Sequence, residues 1–75
     1  MRQKIIATIL RVSKRDVAPA TDESLFDSGY LDSFALPEMV SELEREFAIR
    51  VPDSDLNPRQ FETVARIESY LASRG

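Results

Sequence analysis

Few side chains in this sequence could do chemistry, because it contains no histidine and no cysteine. Nucleophilic, metal-assisted and most acid–base catalysis needs such residues to converge in a cleft. Two glycines are too few for a Gly-rich phosphate-binding loop. Glu38 and Glu42 are i, i+4 neighbours, but a like-charge pair on a solvated helix face more often contributes solubility than acid–base chemistry. We therefore expect that the chain is not an enzyme.

Ser33 is the hydroxyl residue that stands out, because it lies where a polar loop gives way to an amphipathic helix. The local sequence is Gly29-Tyr30-Leu31-Asp32-Ser33-Phe34. A hydroxyl exposed at a helix start is a place where a separate enzyme can attach a group. Asp32 can orient groups near it or cap the helix, and the N-terminus of a helix favours a negatively charged attachment. The alternative is that Ser33 is an ordinary N-cap residue, the commonest role of a serine in this position.

Apolar residues at helical spacing predict where the helices lie. They indicate helices over about residues 2–14, 34–47 and 64–73. Pro37 must then lie in the first turn of the second helix, where proline is tolerated. Asn57 as cap and Pro58 at the first position indicate a short helical element that continues to about Phe61. We expect an all-α fold of three main helices and one short helix, in which residues 1–75 form a single domain.

The connection over residues 15–32 is longer than most connections in compact domains and is rich in turn-forming residues. It also carries four apolar residues, namely Val17, Leu25, Phe26 and Leu31. We therefore expect this long first loop to pack back onto the core, with Tyr30 as a loop-packing residue. No run of apolar residues is long enough to span a bilayer, so we expect no membrane insertion.

The middle of the chain is strongly acidic, since residues 22–46 hold eight acids and one base, a net charge of −7. This charge argues against nucleic acid as a partner and favours a protein with a basic surface. The candidate docking residues are Phe34, Glu38, Met39, Glu42 and Glu44. Two alternatives stay open: Phe34 could bury against the loop and Met39 in the core, and the acids could simply form a solvated face. A small helical interaction module could also dock through this helix with no cofactor.

Three blocks of the sequence resemble the phosphopantetheine carrier proteins, the family of acyl, peptidyl and D-alanyl carriers. The blocks are Leu25-Phe26-Asp27-Ser28-Gly29-Tyr30-Leu31-Asp32-Ser33-Phe34, Leu43-Glu44-Arg45-Glu46-Phe47 and Phe61-Glu62-Thr63-Val64. With Ile49, Val51-Pro52-Asp53, Ile67 and Tyr70-Leu71, and with the helix order and loop lengths, the resemblance extends over nearly the whole chain. The resemblance implies an acyl-carrier-like helical bundle with 4′-phosphopantetheine attached to Ser33 as a phosphodiester, beside Asp32.

The same resemblance implies a carrier that holds an acyl or aminoacyl group as a thioester and presents it to other enzymes. Its partners would be a phosphopantetheinyl transferase, an acyl- or aminoacyl-activating ligase and the downstream enzymes of the pathway. It would act as a monomer in the cytoplasm. Phe34, Ala35 and Pro37 depart from what fatty-acid carriers commonly have beside the serine, and residues 55–61 look more like carriers of amino acids. We therefore expect an amino acid or an uncommon acyl group as cargo.

Overall fold

The computed structural model describes residues 2–74, which form three α-helices and one short 3₁₀ helix. The α-helices are α1 at Arg2–Ser13, α2 at Ala35–Phe47 and α3 at Val64–Arg74, and the 3₁₀ helix lies at Asp53–Asp55. None of the described residues forms a β-strand. The all-α fold with three main helices is confirmed. In the described part of the chain, no helix has the length and apolarity that crossing a membrane requires.

The core forms where α1 packs against both α2 and α3. Its fully buried residues include Ile5, Ile9, Leu25, Met39, Leu43, Phe61, Val64 and Ile67. Each helix contributes them at the three- and four-residue spacing of one face, which explains why the apolar pattern located the helices. Thr8 is also buried in α1, and its hydroxyl donates a hydrogen bond to the Lys4 carbonyl (2.8 Å), so no polar group is left unsatisfied there.

Two residues in the left-handed region stop the first two helices. Lys14 follows α1 with φ of 59°, and Ala48 follows α2 with φ of 53°. The Ala48 N–H donates to the Glu44 carbonyl, which satisfies one of the free acceptors at the helix end. Pro37 is the third residue of α2, as predicted, so its missing N–H removes no hydrogen bond from the helix interior.

The position predicted for the short helix is wrong. The 3₁₀ helix occupies Asp53–Asp55. Asn57 does act as a cap, because its Oδ1 accepts the Gln60 N–H (3.1 Å), but only turns follow it. The reason lies in Phe61, which is fully buried against Tyr70 with ring centroids 5.4 Å apart. Anchoring this ring draws the chain into the core after a single turn and ends the local helical run.

The long first loop packs back onto the core as predicted, through Leu25 and Leu31. The Leu25 N–H donates to the Glu62 carbonyl (2.8 Å), and the Leu25 carbonyl accepts the N–H groups of Tyr30 (2.8 Å) and Leu31 (3.0 Å). Val17 is an exception, since 68% of it is exposed. The loop uses the Val17 backbone instead, because its carbonyl accepts the hydroxyl of the buried Tyr30 (2.6 Å). The loop therefore reaches residue 31 as a fixed segment.

Candidate functional site

Asp32 fixes the start of α2. Its Oδ1 accepts the N–H groups of Phe34 (2.9 Å) and Ala35 (2.7 Å), and its carbonyl accepts the N–H of Leu36 (2.9 Å). These donors would otherwise have no partner inside the helix. The carboxylate also places negative charge at the positive end of the helix dipole. Asp32 is thus the helix cap, which is one of the two roles predicted for it.

Ser33 lies exposed in the turn between Asp32 and α2. Within residues 2–74 the Ser33 hydroxyl makes no hydrogen bond. The side chain that caps the start of α2 is that of Asp32. The interpretation of Ser33 as an ordinary N-cap serine is therefore wrong. Because capping is left to its neighbour, the Ser33 hydroxyl is accessible to an external enzyme.

The two other serines of the loop, Ser24 and Ser28, are half-buried, whereas Ser33 is exposed. Ser24 Oγ accepts the Asp27 N–H (3.2 Å). The pKa of Glu23 is below its ordinary value, and the first reason is the neighbouring Ser28 hydroxyl. The second reason is the Ala20 N–H, which donates to Glu23 Oε1 (2.9 Å). Half-buried hydroxyls are poorer attachment points than the exposed hydroxyl of Ser33.

Phe34 presents a large apolar surface directly beside Ser33, since 88% of it is exposed. The alternative in which Phe34 buries against the loop is wrong. Asp32 holds the Phe34 backbone in a helical conformation, with φ of −88° and ψ of −38°, so the ring is carried outward by a fixed turn. Only Val17 is a comparably exposed large hydrophobic residue in the part of the chain described here.

The acids of α2 are not all available to a partner. Glu42 pairs with Arg11 of α1 (2.9 Å) and with Arg45 (3.5 Å). Glu46 lies 3.9 Å from Lys4. These pairs are exposed and contribute little stability, but they compensate the charge of the helix face.

Two of the predicted docking residues serve the fold. Met39 is fully buried in the core, so it cannot contribute to a surface, and the core alternative considered for it holds. Glu44 is half-buried, and its Oε2 accepts the Val51 N–H (2.8 Å), which ties the 48–52 connection to α2. Glu38 differs from both, because it is exposed in the first turn of α2 and has no ion-pair partner among residues 2–74.

The site suits a covalently attached group more than a bound ligand. The N–H groups of Phe34 and Ala35 are already occupied by Asp32, so a phosphodiester at Ser33 would gain little from them and would extend into solvent. Within the described residues, no cluster of His, Cys, Asp or Glu has the arrangement of a metal site. Exposure at Ser33, a capped turn and an adjacent apolar ring are what an attachment point for an external enzyme needs.

The sequence is similar to known proteins over most of its length. The profile of the family described as "Phosphopantetheine attachment site" matches residues 3–71. A D-alanyl carrier protein of Streptococcus uberis is 40% identical over 67 residues, which cover 89% of this chain and 85% of the relative. D-alanyl carrier proteins of Streptococcus pyogenes and Streptococcus sanguinis are each 37% identical over the same coverage.

Proposed function

The chain belongs to the phosphopantetheine attachment-site family, and on that premise we propose that Ser33 is the residue to which its arm is joined. It is a carrier protein with a covalently attached 4′-phosphopantetheine arm that presents cargo to partner enzymes. This membership overturns the alternative of a helical interaction module without a cofactor. We further propose that residues 1–75 form one carrier domain, which acts as a monomer in the cytoplasm and has no catalytic activity of its own.

The arm supplies a terminal thiol that the sequence lacks, so the cargo is held as a thioester. The residues of the chain supply position. Asp32 holds the turn through two hydrogen bonds, which keeps the Ser33 hydroxyl at the surface. The exposure of Ser33 beside this cap is the observation that carries the proposal. A flexible arm on a fixed turn raises the effective concentration of the cargo at each partner enzyme.

The attachment site can be tested by incubating the protein with coenzyme A, magnesium and a broad-specificity phosphopantetheinyl transferase. Intact mass should rise by one phosphopantetheine in the wild type and in Ser28→Ala, and it should not rise in Ser33→Ala. Ser28→Ala is the matched control, because it removes a hydroxyl from the same loop. Modification of Ser33→Ala, or its loss in Ser28→Ala, would show that the arm is attached elsewhere.

We propose that partner enzymes dock on the surface formed by Phe34, Glu38 and Glu42. Phe34 offers an apolar contact next to the arm, and Glu38 offers a charge with no internal partner. Glu42 can join only if a partner competes with Arg11, which lies 2.9 Å from it. Such complementary charge at the edge of an interface mainly raises the association rate and selects the partner.

We propose an amino acid, specifically D-alanine, as the cargo. The similar proteins are D-alanyl carriers, and the resemblance of residues 55–61 favours the same class. An ATP-dependent ligase that activates the amino acid would then load the arm. The test offers the modified protein to a D-alanine-activating ligase and, separately, to fatty-acid synthesis enzymes. Charging by the ligase supports the proposal, whereas chain elongation with no charging would assign the protein to the fatty-acid carriers.

A further inference from the structure

Arg15 makes two contacts with the loop segment that leads to Ser33. Its Nη1 donates to the Ser28 carbonyl (2.6 Å). Its guanidinium lies 4.6 Å from the ring centroid of Tyr30, in the geometry of a cation–π contact. Between these two residues Gly29 has φ of 83°, and a Cβ added there would lie 3.3 Å from Arg15 Nη1. One side chain, two residues after the end of α1, thus lies against residues 28–30.

The conformation of residues 28–30 decides where Ser33 lies. Tyr30 is buried, and its N–H and that of Leu31 both donate to the Leu25 carbonyl. Asp32 follows directly and caps α2. Leu25 fixes this segment from the core side, whereas Arg15 fixes it from the solvent side. Without Arg15, the outer half of the turn would depend on its own backbone hydrogen bonds, of which Gly29 N–H to the Phe26 carbonyl is a long one (3.2 Å).

We propose that Arg15 is a positioning residue for modification at Ser33. It holds the loop in the conformation that the phosphopantetheinyl transferase recognises, and it does so through residues 28–30 without contact to Ser33 itself. This inference rests on the proposed function, in which Ser33 carries the arm. The physical basis is the fraction of molecules whose loop has the conformation that the transferase recognises. The apparent dissociation constant for the transferase rises in inverse proportion to that fraction.

The test is the steady-state kinetics of the transferase with the apo protein as the varied substrate. Arg15→Ala should raise KM by up to about two- to fivefold, the ratio to which a surface cation–π contact corresponds, and the full ratio is reached where the competent conformer is the minor one. The value of kcat should stay unchanged, because the bound loop is the same once the transferase holds it. Arg15→Lys keeps a cation that can sit over the Tyr30 ring and should recover part of the loss.

Lys14→Gln is the matched control, because it removes an exposed positive charge one residue away and leaves the contacts of Arg15 with Ser28 and Tyr30 intact. It should leave KM within the error of the wild type. An unchanged KM in Arg15→Ala, an equal rise in Lys14→Gln, or a fall in kcat alone would overturn the inference. A wild type that is not modified at Ser33 would instead overturn the proposed function.

Hydrogen exchange supplies a second readout that does not need the transferase. The Tyr30 and Leu31 amides should exchange faster in Arg15→Ala than in the wild type and in Lys14→Gln, and amides in the middle of α1 and α3 should not change. A uniform increase over the whole chain would mean that Arg15 only stabilises the fold, and unchanged Tyr30 and Leu31 amides would mean that it fixes nothing. Either result would overturn the inference.

Discussion

Two alanine substitutions at adjacent positions should have opposite consequences for stability and modification. Asp32→Ala removes the acceptor of two backbone N–H groups, at 2.9 and 2.7 Å, and leaves the first turn of α2 without its cap. Ser33→Ala removes an exposed hydroxyl that caps nothing. Asp32→Ala should therefore destabilise a protein that can still be modified, whereas Ser33→Ala should abolish modification in a protein of normal stability.

The expected magnitudes are well separated. Loss of an N-cap aspartate costs about 0.5–2 kcal/mol of unfolding free energy. The core of a domain of this size supplies only about 3–5 kcal/mol, so the loss is a large share of the total. It corresponds to a fall in Tm of about 4–8 °C for each kcal/mol. Ser33→Ala should stay within about 0.5 kcal/mol of the wild type, as is usual for a surface substitution.

Urea unfolding followed by far-ultraviolet circular dichroism measures both effects, together with Asp32→Asn as the matched control. Asparagine caps a helix about as well as aspartate but carries no charge, so Asp32→Asn should lose only the dipole contribution of about 0.3–1 kcal/mol. Modification of each variant by the transferase is then followed by intact mass at a temperature where all of them are folded.

If Ser33→Ala lowered the urea midpoint by the amount predicted for Asp32→Ala, the reasoning would be refuted. Ser33 would then be the cap, and its hydroxyl would not be free. Equal losses of unfolding free energy in Asp32→Ala and Asp32→Asn would also contradict the reasoning. The charge of Asp32, and not its hydrogen bonds, would then hold the turn.

Three further predictions concern docking and pH. Glu38→Lys should lower kcat/KM for modification at low salt by about two- to tenfold. Glu42→Lys should lower kcat/KM less, because the Glu42 carboxylate already pairs with Arg11 and Arg45. Both effects should fade at 1 M salt, where the Debye length is about 3 Å. A larger effect from Glu42→Lys than from Glu38→Lys would contradict the assignment of Glu38 as the main docking charge. Phe34→Ala should slow modification with an unfolding free energy within about 0.5 kcal/mol of the wild type, because the ring is 88% exposed; a clear loss of stability would show that the ring packs in solution. Burial, and then the hydrogen bond from the Tyr70 hydroxyl to Asp55 Oδ2 (2.8 Å), raise the pKa of Tyr70 above its ordinary value. The folded state therefore keeps this proton to higher pH than the unfolded chain, so the stabilisation is complete below pH of about 10 and is lost as pH rises further. Urea unfolding over a pH series should show that loss in the wild type and a smaller one in Tyr70→Phe, and identical pH profiles would contradict the prediction.

The three α-helices could be predicted from the sequence because the spacing of their apolar residues reflects the one face that each helix buries in the core. α1, α2 and α3 each bury one face, so the bounds predicted from apolar spacing fall within one residue of those in the structure. The short helix could not be placed in this way. Both Asp53–Asp55 and residues 57–61 contain turn-forming residues, and the choice between them depends on the packing of Phe61, which is a tertiary contact.

Ser33 could also be singled out from the sequence, since its position between a turn and an amphipathic helix is a local property. The division of roles between Ser33 and Asp32 could not, because serine and aspartate cap helices about equally well. It is the hydrogen bonds to Asp32 Oδ1 that assign the cap. Arg15 gave no local signal either, since its contact with Tyr30 joins residues that are 15 positions apart.

The charge of residues 22–46 shows how the fold changes what a partner meets. A net charge of −7 along the sequence suggests an acidic face over the whole of α2. In the fold, α1 lies beside α2 and brings Arg11 and Lys4 next to Glu42 and Glu46. Compensated charges attract a basic partner weakly beyond a Debye length of about 8–10 Å.

The exposed acid of α2 that has no ion-pair partner among residues 2–74 is Glu38, in the turn that follows Ser33, and next to it stands the exposed ring of Phe34. On the proposed docking surface, a partner steered by charge would therefore be drawn to the first turn of α2 more than to its C-terminal half. This is the end of the helix where the arm would be attached. Lys4 and Arg11 of α1 would thus confine the proposed docking surface to the neighbourhood of Ser33.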